Sequence, residues 1–107
     1  MEIDQYDIVL VDLNPTMGSE MKKTRPCVVV SPNEMNKHLR TIIIAPMTSS
    51  LKNYPTRVKV IHNSKEGRIA LDQIRTVDRL RVVKAFDSIS KSEVKQVKNI
   101  LKEIFVD

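Results

Sequence analysis

Between two apolar runs, Ile8-Val9-Leu10-Val11 and Cys27-Val28-Val29-Val30, lies a polar stretch from Leu13 to Pro26. It gathers one carboxylate, Glu20, and three cations, Lys22, Lys23 and Arg25. A carboxylate in such a place can take up a proton. The planar guanidinium of Arg25 can bridge two oxygens of one anion and stays charged at any physiological pH. Chemistry is expected here, because a polar loop held at both ends by buried strands is where functional side chains concentrate. Asn14-Pro15 opens a turn, since Pro presets φ and extends the residue before it. Gly18 is one of only two glycines, and its place mid-loop points to a positive φ or a close backbone approach. An ordinary hairpin tip is the alternative that the loop alone leaves open.

The elements that must position this loop follow from hydrophobic spacing. Tyr6 to Leu13 reads as a first strand, apolar on both faces as in a covered or closed sheet. Pro26 to Ser31 reads as a second, with Pro at its first position where the missing N–H costs least. A short helix from Asn33 to Leu39 precedes a third strand, Thr41 to Ala45, which Pro46 to Ser50 ends. Thr56 to His62 alternates Val58 and Val60 with Arg57 and Lys59, the pattern of a half-exposed strand. Asn63 to Gly67 is a turn by composition, Arg68 to Ile74 a fifth strand, Thr76 to Arg81 a tight or single helical turn, and Val82 to Phe86 a sixth strand. The terminal helix carries its own signature. Ser90 and Glu93 match a capping box, and Ile89 with Val94 a hydrophobic staple. Val94, Val97, Leu101 and Ile104 form its apolar stripe, opposite Lys91, Lys95, Lys98 and Lys102. That lysine stripe is read as a solvated face. Short, closely spaced strands with one terminal helix predict a mainly β fold, a small, strongly bent antiparallel barrel with the helix packed on it, as one domain over 1–107.

At 107 residues with one cysteine, the chain can bury a core without disulfide or metal. Cys27, in an apolar run, is expected to be an inert buried thiol in a reducing compartment. No apolar run is long enough to span a membrane and no signal-peptide layout opens the chain, so a soluble, cytoplasmic protein is expected. The formal charge of +5 favours an anionic partner, nucleic acid or an acidic protein segment. An aromatic content of 4% argues against a binder that works mainly by stacking bases on rings. His38 and His62 lack partners at ligand spacing and are expected to face solvent. No Gly-rich phosphate loop, Cys/His metal spacing or carboxylate cluster for two-metal catalysis is present, so no cofactor is expected.

Five motifs in order, Leu13-Asn14-Pro15-Thr16, Gly18-Ser19-Glu20, Thr24-Arg25-Pro26, Pro46-Met47-Thr48 and Asp72-Gln73-Ile74-Arg75-Thr76-Val77-Asp78, resemble the MazF/PemK family of toxin–antitoxin toxins from about Tyr6 to the terminal helix. The resemblance implies an SH3-like barrel of the CcdB/MazF kind and a homodimer. It also implies a metal-independent, sequence-specific endoribonuclease that cuts single-stranded RNA and is silenced by an acidic antitoxin tail. It casts Arg25 and Thr48 as the catalytic pair and places Asp72 and Gln73 in the RNA groove. Two departures matter. Tyr6 stands where the family pattern has Gly, and Ala70 where one plasmid-borne branch has the Arg that serves as its general acid; that branch's first-loop histidine is also missing.

Cleavage without metal drives the ribose 2′-oxygen onto the neighbouring phosphorus, giving a cyclic phosphate and a 5′-OH. It requires a base, an acid and positive charge on the pentavalent intermediate. Arg25 suits the charge role better than proton transfer. Thr48 can donate a hydrogen bond to a non-bridging oxygen, and Glu20 is the candidate base. Met17, Ser19, Ser49, Asp72 and Gln73 are the expected RNA contacts, since specificity would come from loop shape and a few base-edge contacts. Asp72, Arg75, Asp78 and Arg79 equally fit a structural ion-pair network. Two rivals stand beside this reading. One is a toxin of the same fold that binds a protein such as DNA gyrase; the other is a basic module that holds RNA without cutting it.

Overall fold

The computed structural model describes residues 1–13 and 24–107. In chain order they form β1 (Asp7–Asp12), β2 (Thr24–Val29), α1 (Asn33–His38), β3 (Thr41–Thr48), β4 (Arg57–His62), β5 (Lys65–Ala70), β6 (Arg75–Asp78), β7 (Val82–Ser88) and α2 (Lys91–Phe105). Single 3-10 turns fall at Leu71–Gln73 and Arg79–Arg81. The antiparallel strands lie in the order β4-β5-β3-β2-β1-β7, with β6 added on β3. The sheet curls into a half-barrel with α2 against it, in agreement with the expected bent barrel and terminal helix.

The unbroken apolar runs are explained by two cores. Successive residues of a strand point to opposite faces. Ile8, Val28 and Ala45 enter one cluster with Val58, Val60, Ile69 and the α2 residue Val97. Their neighbours Val9, Cys27, Val29 and Ile44 enter a second with Ile3, Ile42 and Val77. The central strands are therefore buried on both sides, whereas β4 buries apolar residues on one side only, with Ile61 exposed on the other.

Where strand limits differ from expectation, the reasons are local. β3 runs past Ala45 to Thr48 because it changes partner on the way. Its pairs with β6 end at Ile44 and those with β5 begin at Met47. The missing N–H of Pro46 thus falls between two ladders. β2 likewise begins at Thr24 rather than Pro26, its first pairs being with β1.

The turn after β4 is only Asn63-Ser64, both with positive φ (52° and 62°). That is the backbone of a tight hairpin whose twist matches its strands. It frees Lys65, Glu66 and Gly67 to join β5, which ends at Ala70 and not at Ile74. Asp72 and Gln73 then lie in a 3-10 turn, not a strand. Thr76 to Asp78, expected to begin a turn, belong to β6, and only Arg79–Arg81 is helical.

The terminal helix agrees with its signature. Glu93 N donates to Ser90 Oγ at 3.2 Å and Ser90 N to Glu93 Oε1 at 2.8 Å, a cap worth about 1 kcal/mol. Its inner face includes Ile100, while Ile104 is exposed. The four lysines of its outer face are exposed, as expected.

Tyr6, in the family's Gly position, has φ 72°, a conformation that costs a side-chain-bearing residue roughly 1–2 kcal/mol. It is held by Tyr6 N donating to Val29 O at 2.7 Å and Ile89 N donating to Tyr6 O at 3.0 Å. The ring packs on the core beneath α2.

Candidate active site

A groove of about 570 Å³ opens where the start of β2, the end of β3 and the β4–β5 hairpin converge. Arg25, Thr48 and Ser49 all line it. Arg25 sits opposite Val11 of β1, and its exposed guanidinium has no hydrogen-bond or ion-pair partner among the described residues. The β2–β3 register pairs Val28 with Ala45 and Cys27 with Pro46. Continued two positions along each strand, it sets Arg25 opposite Thr48.

Thr48 is the last residue of β3. Its Oγ1 accepts from Ser50 N at 3.1 Å, which fixes the rotamer and leaves the hydroxyl proton free to donate. On its other side Thr48 pairs with Arg68 of β5. Gly67 makes that approach possible, because a Cβ there would lie 2.9 Å from the Thr48 carbonyl oxygen.

Arg68 is buried and held by three acceptors. It donates to Glu66 Oε2 at 3.1 Å, Gly67 O at 3.1 Å and Asn53 Oδ1 at 3.2 Å. The hydrogen bond from Arg68, with Lys59 second at 3.2 Å, holds the Glu66 carboxyl below the usual carboxylate range. Glu66 is thus matched by its own cations, and Arg25 and Lys65 give the groove its positive balance.

Asp72 and Gln73 are exposed in their 3-10 turn and do not line this groove. Asp72 accepts from Arg57 Nε at 3.2 Å and Thr56 Oγ1 at 3.0 Å, and its carboxyl is pulled down chiefly by Arg57. Its ion pair is therefore with Arg57, and not with Arg75, Asp78 or Arg79. Asp78 instead caps the next turn through Leu80 N, and Arg79 donates to Met1 O. Met17, Ser19 and Glu20 lie outside the described residues. Cys27 is buried, and burial pushes its thiol up to about 12, so it is not a nucleophile at neutral pH.

The groove also holds a residue expected elsewhere. His62, expected in solvent, is half-buried in it, with its ring edge on Phe86 at 4.9 Å between centroids and 70° between planes. The signal was legible: His62 continues the inward series Val58, Val60.

A curled antiparallel sheet with a terminal helix, and a groove lined by Thr48 and by an arginine that has no partner among the described residues, describe a small β protein with a cationic groove. A family model described as "PemK-like, MazF-like toxin of type II toxin-antitoxin system" matches residues 4–105. The chain belongs to that family. It is 34% identical over 105 residues to Endoribonuclease MazF of Staphylococcus epidermidis, covering 92% of this chain and 88% of that protein. A MazE–MazF crystal structure from Deinococcus radiodurans is similar at a TM-score of 0.81 and 26% identity, over 95% of this chain and 94% of that one. A mycobacterial endoribonuclease in complex with its cognate antitoxin shares the fold, with a TM-score of 0.80 at 17% identity over 95% and 93% of the two chains. Among the described residues no helix is long and apolar enough to cross a membrane.

Proposed function

We propose that the chain, a MazF-type endoribonuclease toxin, cuts single-stranded RNA without a metal ion, by attack of a ribose 2′-oxygen on the adjacent phosphorus. The observation that carries this reading is Arg25: a guanidinium with no partner among the described residues, lining the same open groove as Thr48. A guanidinium can bridge the non-bridging oxygens as negative charge grows on the pentavalent phosphorus, and Thr48 can add a hydrogen bond to one of them. Removing one such donor typically costs about 10²–10³-fold in rate. Glu20 takes the 2′-OH proton. Met17, Ser19 and Ser49 contact the RNA near the cut, and Asp72 and Gln73 contact it farther along the strand.

The reading includes a homodimer, a cytoplasmic setting and a cognate antitoxin with an acidic tail. The charge of +5 and the cations of the groove support an acidic inhibitor that competes with RNA.

The test incubates wild type and Arg25→Ala with a long unstructured RNA in excess EDTA and maps the fragment ends. Cuts at one short sequence, with cyclic phosphate and 5′-OH ends and lost in the variant, are expected. Intact RNA with a folded wild type overturns the reading and makes a protein target such as gyrase the next candidate.

A further inference from the structure

The cleavage just proposed needs an acid for the departing 5′-oxygen, and neither Arg25, permanently charged, nor Thr48 can readily supply that proton. The geometry points to His62 as the general acid, an inference that rests on the ribonuclease reading. The imidazole stands in the same groove as Arg25 and Thr48, and neither ring nitrogen has a hydrogen-bond partner among the described residues.

Its place is fixed by the fold. β4 and β7 are the two ends of the strand order, and the curl brings them together at the contact of His62 with Phe86. The tight Asn63-Ser64 turn sets His62 opposite Lys65. The ring is thus carried by a strand and steadied by a second ring, as a proton donor that must meet one atom requires. Imidazole is also the side chain whose ordinary titration spans neutrality. The other histidine, His38, is exposed on α1 and does not line this groove.

The charged groups around His62 are Arg25 from β2, Lys65 and Glu66 from β5, and Lys84 from β7, whose Nζ lies 5.1 Å above the Phe86 ring. Glu93 of α2 accepts from the neighbouring Ile61 N at 3.3 Å. In the step, the 2′-oxygen bonds to phosphorus as its proton passes to the base. The bond from phosphorus to the 5′-oxygen breaks, and the imidazolium gives its proton to that oxygen, leaving neutral imidazole to be reprotonated from solvent.

The experiment compares wild type and His62→Gln on two oligonucleotides spanning the mapped cut site. One has the natural linkage; the other carries sulfur in place of the 5′-bridging oxygen. A thiolate leaves without being protonated. His62→Gln is expected to slow the natural linkage by about 10²-fold or more and the sulfur linkage by less than about 3-fold. The wild-type decline in rate toward high pH is expected to vanish in the variant on the natural linkage. Cleavage of the sulfur linkage also shows that the variant is folded and binds RNA. Equal losses on both linkages, or no loss on the natural one, overturn the role of His62 alone. A wild type that cuts neither overturns the ribonuclease reading with it.

Discussion

Arg25 and Arg68 flank Thr48 from opposite sides of β3, and they are in opposite states. Arg68 on β5 is buried, with three acceptors around its guanidinium. Arg25 on β2 is exposed and has none among the described residues. The same side chain is a fastener in one place and a waiting ligand in the other. A guanidinium whose acceptors are already supplied has little left to offer a phosphate, whereas an unpaired one in a groove is complete only when an anion arrives. Lys65 repeats the second pattern, and Arg57, bound to Asp72, repeats the first.

Substitutions should separate the two states. Arg25→Ala is expected to lower the cleavage rate by about 10²–10³-fold while moving stability by no more than about 0.5 kcal/mol, as at an exposed site; single-turnover cleavage and urea unfolding measure the two. Arg68→Ala should invert that outcome. It removes buried, charge-assisted hydrogen bonds, so a loss of about 1.5–3 kcal/mol is expected from the urea midpoint, and cleavage by the folded fraction should suffer less than in Arg25→Ala. Gly67→Ala joins the two effects. Its Cβ would meet the Thr48 carbonyl oxygen at 2.9 Å, so β3 and β5 must separate where Thr48 is held. A stability loss of about 1–3 kcal/mol is expected, with a larger fall in cleavage by the folded fraction than Arg68→Ala shows.

Much of this was legible in the sequence because it depends on near neighbours. The capping box of α2 needs only Ser90 and Glu93, and the buried strands announce themselves as apolar runs. Arg25 and Thr48 are legible through motif resemblance, and the pairing of β2 with β3 brings both to one groove. What escaped depended on partner exchange. No local pattern says that β3 passes from β6 to β5 at Pro46, or that Asn63 and Ser64 alone make the hairpin, so spacing alone starts β5 too late and reads most of β6 as a turn. His62 was misplaced for a related reason. Its inward parity was readable, but the Phe86 that meets it comes from the far end of the strand order, and only the curl of the sheet joins them. The sequence shows Arg68 only as the start of a strand, because its acceptors Glu66, Gly67 and Asn53 are set by the hairpin and the loop before β4.

The smallest effect concerns Asp72, for which the sequence left groove-lining and ion pairing equally open. The hydrogen bond from Arg57, with Thr56 adding to it, holds its carboxyl below the ordinary value. A carboxylate whose folded-state pKa is depressed gives up its proton more readily in the folded chain than in the unfolded one. Its contribution to stability is therefore complete above the unfolded value of about 4 and is lost as the pH falls through the folded value. With 37% of the side chain exposed, solvent screening limits that contribution to less than about 1 kcal/mol. Asp72→Asn should accordingly be less stable than wild type at neutral pH, and the gap in urea midpoint should close as both are acidified below the carboxylate range. Glu66 shifts in the same direction but is present in both proteins and cancels in the difference. A gap that persists unchanged in acid would mean that the Asp72 ion pair is not its source. If Asp72 also touches RNA, Asp72→Asn will raise KM for a long substrate more than for one trimmed to the cut site. A fastener alone would leave both KM values where they are, and Asp72 would then belong with Arg68 and not with Arg25.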